Sequence, residues 1–385
     1  MEISSRAGQL STYPIADLIA RKNSLREQGV RIFDFGPGDP LDPLPDIIRQ
    51  TVANLTVKHS NYPAAEGTFS LRKIISEYIY RRFSKTRINP ETQIIVSSGS
   101  KEAIFNLPGL LIDSASKRRK VIGPIPGYPV YSKGTLMAGG EFYGIQLLKE
   151  NHYLYSLADI PENILNQTAI AWLNYPHNPT GAGCSLEYLK EQYNLAQKYG
   201  ILLCSDECYC DLYVDQKPHS LLEVSDQGVL AFHSLSKRSG MTGFRSGFVA
   251  GDKKLLAHYA RYRNTTGTAP SEVVQTISET AWSDDNHVNE RLKILTEKRA
   301  VLMDLFSDLK LDVYSSVNAL YLWVNTPDGI SALDYMEKLL PHGIVITPGA
   351  FFDAGYDDCF RVSLSPLLED CRDAVDVWRK VHKNL

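Results

Sequence analysis

The chain has 385 residues, 43% of them hydrophobic and 22% charged, and a formal net charge of −3. That length exceeds what one hydrophobic core fills efficiently, so two domains are expected, and the composition is that of a packed protein rather than a disordered one. No basic tail or Lys/Arg stripe offers the electrostatic footprint of a nucleic-acid or anionic-membrane binder, which leaves small molecules as the expected partners.

The first residues, Met1 to Arg6, lack an apolar signal core, and no apolar run reaches bilayer-spanning length, so a cytoplasmic location is expected. Further along, Leu71, Ile74, Ile75, Tyr78 and Ile79 recur at helical spacing while Arg72, Lys73, Glu77 and Arg81 fill the opposite face, which predicts an amphipathic helix. Five short apolar runs, 94–96, 120–122, 169–173, 201–204 and 229–232, are bounded by polar or Gly/Pro turns and read as buried central strands. A long helical stretch is predicted from about Ser271 to Phe306, followed by strand-like pieces at 319–324 and 360–364. The expected fold class is therefore α/β, a mostly parallel sheet between helices with a smaller α+β domain. The division expected is a large domain over 41–280 and a small one made of 1–40 with 281–385.

Six cysteines, Cys184, Cys204, Cys208, Cys210, Cys359 and Cys371, are scattered in a way that suggests reduced thiols rather than a disulfide framework. A strand-like alternation would put Cys208 and Cys210 on one face. No paired CxxC or nearby His completes a tetrahedral set with Cys204, so buried apolar thiols are expected and no metal.

Four segments place chemistry-bearing residues where a predicted strand ends, the region in which open α/β sheets bind ligands. In the first, Lys237 follows a buried strand, flanked by Ser234 and Ser236, with Arg245 eight residues on across a Gly-rich turn. That arrangement suits an imine beside a bound phosphate, although a lysine in a serine-rich loop is by itself ordinary solvated surface. The second is Asn174-Tyr175-Pro176-His177-Asn178-Pro179-Thr180-Gly181, where two prolines fix a tight loop and leave the Asn178 amide free to donate. In the third, Asp206 and Tyr209 follow the run 201–204, and a carboxylate at a buried strand end is costly to ionise without a partner. The fourth, Ser97-Ser98-Gly99-Ser100-Lys101, turns a strand into a helix whose N-terminal amides suit a phosphate.

Taken together, Ser234-x-x-Lys237 with Arg245, the N-x-P-x-N-P-T-G loop and D-E-x-Y resemble class I/II aminotransferases of pyridoxal 5'-phosphate (PLP) fold type I. The resemblance runs from about Arg31 to Arg361 and implies a seven-stranded sheet in the large domain. It implies Lys237 as the lysine carrying PLP, and Ser234, Ser236, Arg245 and the backbone of Gly99, Ser100 and Lys101 as phosphate ligands. Asp206 would hold the pyridinium nitrogen, Asn178 and Tyr209 the phenolic oxygen, and Tyr128 would stack on the ring. Arg361 would grip the substrate α-carboxylate beside Gly38, and Tyr62 would reach the phosphate of a neighbouring subunit's cofactor, which implies a homodimer with shared sites.

The implied reaction is ping-pong transfer of an amino group from an amino acid to a 2-oxo acid such as 2-oxoglutarate, with Lys237, Asp206 and Tyr209 as the catalytic set. The stretch from Ser234 to Asp252 looks most like bacterial N-succinyldiaminopimelate aminotransferases of lysine biosynthesis, with Gly240-Met241-Thr242 departing from their Asn-x-Pro. A general aspartate, alanine or aromatic aminotransferase, a PLP-dependent C–S lyase, and a PLP-binding regulator are the alternatives. Arg263 and Asn264 are candidates for the distal end of a long donor, against the plainer reading of a solvated loop.

Overall fold

The structure is a computed structural model that describes residues 3–10, 15–84, 86–113, 115–314 and 317–385; Met1 and Glu2, used above in reading the N-terminus, and residues 11–14 of the expected small domain lie outside the described residues. At its centre is a seven-stranded sheet. Its strands are β1 (Ile94–Ser97), β2 (Lys120–Ile125), β3 (Glu141–Gln146), β4 (Thr168–Leu173), β5 (Leu202–Asp206), β6 (Val229–Ser234) and β7 (Gly247–Gly251). They lie in the order β1-β7-β6-β5-β4-β2-β3. The pairings from β3 through β6 are parallel, and β7 runs antiparallel to both β1 and β6.

The five apolar runs became strands because both faces of this sheet are covered. Alternate residues of a single strand enter different apolar clusters: Ile170 and Trp172 pack on one face, Ala171 and Leu173 on the other. Strands of that kind carry no polar alternation. Two strands of this seven-stranded sheet match none of the five runs. β3 is an edge strand with half-exposed side chains, and β7 has glycines at both ends.

The amphipathic segment forms the helix Phe69–Arg82, capped by the Thr68 hydroxyl and burying Leu71, Ile75, Tyr78 and Ile79. The long helix expected from Ser271 to Phe306 is instead two helices, Glu272–Ser283 and Asn286–Asp308. Asp284 breaks it by adopting an extended backbone, and its carboxylate accepts from the His287 backbone N–H at 2.8 Å. The predicted Cys208–Cys210 strand face is also corrected. β5 ends at Asp206 and both cysteines lie in the turn beyond it, with Cys208 Sγ against Ser100 and Cys210 Sγ against Tyr78 and His233.

The C-terminal third forms a three-stranded antiparallel sheet of Thr347–Pro348, Cys359–Ser363 and Tyr321–Asn325. The N-terminal segment joins it through a parallel pair, Phe33–Asp34 with Ile344–Val345, and Phe33 and Phe35 enter the same apolar cluster as Phe306, Phe360 and Trp378. Among the described residues no helix is long and apolar enough to cross a membrane.

A buried ion cluster ties β6 to the helices behind it. Asp211 accepts at 2.8 Å from each of Tyr78 Oη, Arg82 Nε and Arg238 Nε. Burial alone would raise this carboxyl's pKa, but Arg238 and Arg82 outweigh burial and hold it below the usual range. A lowered pKa stabilises the fold above the unfolded value of about 3.9, and that stability is lost as the pH falls through the lower folded value. Asp211→Asn is therefore expected to cost about 3 kcal/mol in urea unfolding at pH 7, because it strands two buried guanidinium groups. The deficit should narrow below about pH 4, and an equal deficit at pH 3 and pH 7 would contradict this account.

Candidate active site

All the parallel strands present their carboxyl ends at one edge of the sheet. Because β7 is antiparallel, its beginning lies at that same edge, so the residues just before it join those that follow β1, β2, β4, β5 and β6. Gly247 fixes the junction by pairing with both Ser97 and Ser234. A Cβ on Gly247 would run into the His233 carbonyl oxygen and come within 3.1 Å of the Ser100 amide. Gly99, at φ 76°, caps the helix Ser100–Leu111, and a Cβ there would come within 2.6 Å of Arg245 Nη2. Two glycines thus let the Arg245 guanidinium lie directly on a helix N-terminus.

The edge opens into a cavity of about 600 Å³ between the two sheets. Lys237, Ser234, Ser236 and Arg245 line it from the β6–β7 connection, Ser100 and Lys101 from the turn after β1, and Tyr128 from the loop after β2. Asn178 comes from the loop after β4, Asp206 from the end of β5 and Tyr209 from the turn beyond it, and Gly38 and Arg361 from the N-terminal segment and the small sheet. Of the residues that the resemblance assigns to cofactor and α-carboxylate, all but Gly99 and Tyr62 are in that lining. Gly99 lies under Arg245, while Tyr62 is fully exposed.

Each polar group is held from behind. Ser234 Oγ accepts from the Ser236 amide at 3.1 Å, Lys237 Nζ donates to the Gly38 carbonyl, and Arg245 Nη1 donates to the Thr242 carbonyl at 2.8 Å. Arg245 itself adopts a left-handed backbone, φ 56°, which costs a non-glycine residue energy and aims its side chain back across the turn. Arg361 donates to Asn178 Oδ1 at 2.7 Å and to the Gly36 carbonyl at 2.6 Å, and its guanidinium lies 4.5 Å from the Tyr321 ring centroid. Asn174 bridges two loops, accepting from the Asn178 amide at 3.1 Å and donating to the Asp206 carbonyl at 2.9 Å.

Asp206 is 4% exposed. Its carboxylate accepts from Tyr131 Oη at 2.8 Å and from the Cys208 amide at 3.3 Å, both neutral donors. Burial pushes its pKa up, and the hydrogen bonds from Cys208 and Tyr131 only partly oppose that. Burial also raises the Tyr209 phenol, whose oxygen lies 3.2 Å from Tyr321 Oη.

Sequence reasoning missed Tyr131 and Tyr321 as parts of this site, and gave Asn174, within a segment it singled out, no role of its own. Tyr131 carried a signal, since it follows Tyr128 by three residues at the start of the helix Val130–Met137 and stacks on Trp172 of β4. Tyr321 carried none, for it was indistinguishable from its neighbours in an apolar strand. The pairing of Arg263 and Asn264 as distal-group candidates is corrected. Both belong to the helix Lys253–Thr266, and Arg263 is fully buried behind the turn after β1 while Asn264 is exposed. Neither lines the cavity.

A family model described as aminotransferase class I and II matches residues 30–377. The LL-diaminopimelate aminotransferase of Aquifex aeolicus is 32% identical over 382 residues, covering 97% of this chain and 98% of its own. A solved aminotransferase from Neisseria meningitidis superposes with a TM-score of 0.89 at 28% identity, covering 99% of this chain and 100% of its own. A probable N-succinyldiaminopimelate aminotransferase from Thermus thermophilus superposes at 0.86 with 23% identity, covering 95% of this chain and 99% of its own, a likeness of fold.

The raised pKa of Asp206 has a consequence for the ligand-free protein, opposite in sign to that of Asp211. A carboxyl whose folded pKa lies above its unfolded value of about 3.9 destabilises the fold as the pH rises past that value. Asp206→Asn should therefore stabilise the ligand-free chain at pH 7 by about 1 kcal/mol, a gain that disappears below about pH 4. Urea unfolding at the two pH values checks it, and a loss of stability at pH 7 would show that ionised Asp206 is already compensated.

Proposed function

The chain belongs to the class I and II aminotransferases, and within that PLP-dependent family we propose that Lys237, Asp206 and Arg361 are its catalytic and substrate-gripping core, acting on a diaminopimelate-type donor. The observation that carries the reading is that these three residues come from separate parts of the fold and face one cavity. The cavity suits the cofactor on its own chemistry. A buried carboxylate with neutral donors around it favours a cationic ring nitrogen, and the Gly99 turn, Ser234, Ser236 and Arg245 together form a phosphate cradle.

When bound, PLP supplies the electron sink that makes an amino acid's α-proton acidic. Lys237 would hold it through Nζ, and that amine, when free, would be the base that takes the substrate's α-proton and returns it. Asp206 would pair with the ring nitrogen and favour its protonated form, with Tyr131 fixing the carboxylate's orientation. Asn178 and Tyr209 would hold the phenolic oxygen, and Tyr128 would hold the ring. Arg361 receives the α-carboxylate in a bidentate grip next to Gly38. Two such half-reactions, with a 2-oxo acid such as 2-oxoglutarate in the second, make up the transfer.

With those assignments made, the charged side chains left in the lining are Lys101 and Asp39, one cation and one anion. The far end of LL-diaminopimelate carries one ammonium and one carboxylate, whereas its N-succinyl derivative carries only carboxylates there. That balance and the name borne by the Aquifex relative favour the free diamino acid. Tyr62, exposed on its loop, is assigned to the phosphate of a partner subunit's cofactor, so the active species is a homodimer.

Lys237→Ala should abolish both turnover and the visible absorbance of lysine-bound PLP while the chain still folds, and survival of either would remove Lys237 from its role. In a panel of donors against 2-oxoglutarate, LL-diaminopimelate should exceed aspartate, alanine and aromatic amino acids in kcat/KM by at least about tenfold. A higher value for the N-succinyl donor would reject the charge-balance argument, and equal turnover of aspartate would leave a general aminotransferase.

A further inference from the structure

Arg263 is 0% exposed, and all three of its guanidinium nitrogens are engaged. Nε and Nη2 donate to the two oxygens of Glu102 at 3.3 and 3.1 Å. Nη1 donates to the Val96 carbonyl of β1 at 2.7 Å and to the carbonyl of Ala65. Glu102 lies in the first turn of the helix Ser100–Leu111, where a negative charge suits the dipole, and its Oε2 accepts from the Ser98 amide at 3.2 Å. One buried ion pair therefore grips two functional segments. The first is the turn Ser98–Lys101 that forms this subunit's own phosphate cradle. The second is the loop 61–67, in which Ala65 lies three residues from the exposed Tyr62.

Nothing else about that loop requires a charge beneath it. The Val96 amide already pairs with the Glu66 carbonyl, and the Thr68 amide with Gln275 Oε1. A neutral, well-packed helix residue could fill the space of Arg263, so the ion pair's particular contribution is direction: four fixed donors hold one loop against one turn.

We infer that Arg263 and Glu102 form a positioning strut through which each subunit holds Tyr62 in register for its partner's site while setting its own phosphate cradle. This rests on the shared-site dimer proposed above. It implies an effect in trans: damage to the strut in one subunit weakens cofactor retention and turnover in the other subunit's site.

Heterodimers with two affinity tags test it. One subunit carries Lys237→Ala, so its own site is dead but its Tyr62 is intact. The other carries Tyr62→Ala, so its site has Lys237 and depends on the first subunit's Tyr62. Activity well above that of either variant homodimer establishes the shared site. Arg263→Lys is then added to the first subunit only, since lysine cannot span Glu102 and two carbonyls at once. The expected result is a loss of at least about fivefold in kcat/KM at the second subunit's site. A matching acceleration of PLP loss from that site on dialysis, read as disappearance of lysine-bound absorbance, is also expected. Glu102→Gln in the first subunit, which keeps the acceptor oxygen and discards the charge, should give a smaller effect in the same direction, and it carries the test if Arg263→Lys does not fold. No complementation in the parent heterodimer overturns the shared-site reading and the strut with it. Complementation that neither substitution in the first subunit disturbs overturns the strut alone.

Discussion

Gly247 is the point at which three backbones meet. It pairs with Ser97 at the end of β1 and with Ser234 at the end of β6, and its missing side chain leaves room for the His233 carbonyl and the Ser100 amide. A wholly parallel sheet would have placed the segment before β7 at the opposite edge, some strand length away from every other functional loop. The antiparallel insertion puts Arg245 over Gly99 instead, so that a guanidinium, a helix N-terminus and the serines around Lys237 face the same few ångströms of space. The chemistry depends on that topological choice more than on any single hydrogen bond, because the choice decides which loops can meet at all.

Two buried carboxylates five residues apart show how the same burial is put to different uses. Asp211 faces Arg82, Arg238 and Tyr78, and its charge is compensated within the chain. Asp206 faces a phenol and a backbone amide, and burial leaves it reluctant to ionise. The first arrangement stabilises the fold. The second is unfavourable for the chain alone and would become favourable if a cation were brought to it.

The central strands were legible in the sequence because both of their faces are buried, which leaves short uninterrupted apolar runs such as 169–173. β3 was not legible, since Glu141–Gln146 mixes exposed and half-buried positions at the sheet's edge, and β7 was absorbed into the motif around Arg245. The helix break at Asp284 was hidden because polar residues suit both an exposed helix face and a cap. Within the site, residues that lie in a motif with unusual punctuation, the prolines around Asn178 or the glycines around Arg245, were readable. Those that act from within regular elements were harder or impossible to read: Tyr131 sits in a helix, marked only by its spacing from Tyr128, and Tyr321 sits in an ordinary strand. Arg263 was misplaced for the same reason, since an arginine in a polar stretch reads as solvated until Glu102, two carbonyls and full burial are seen around it.

Arg263 and Arg238 show where the rigidity of this site originates. The groups that face the cavity are carried on turns, which are intrinsically the mobile parts of an α/β fold. Behind the turn that bears Lys237, Arg238 is clamped by Asp211 and Asp285 and by the Ala281 carbonyl, and it packs against the rings of Tyr78 and Trp282. Behind the turn that bears Ser100, Arg263 is clamped by Glu102 and by backbone oxygens. Each buried cation is placed so that a shift of its turn by even an ångström would break several charge-assisted hydrogen bonds at once. Hydrophobic packing alone resists such small displacements weakly, because dispersion contacts tolerate sliding. Buried, fully paired arginines tie two loops to the scaffold, Arg238 from the residue next to Lys237 and Arg263 from a separate helix through Glu102.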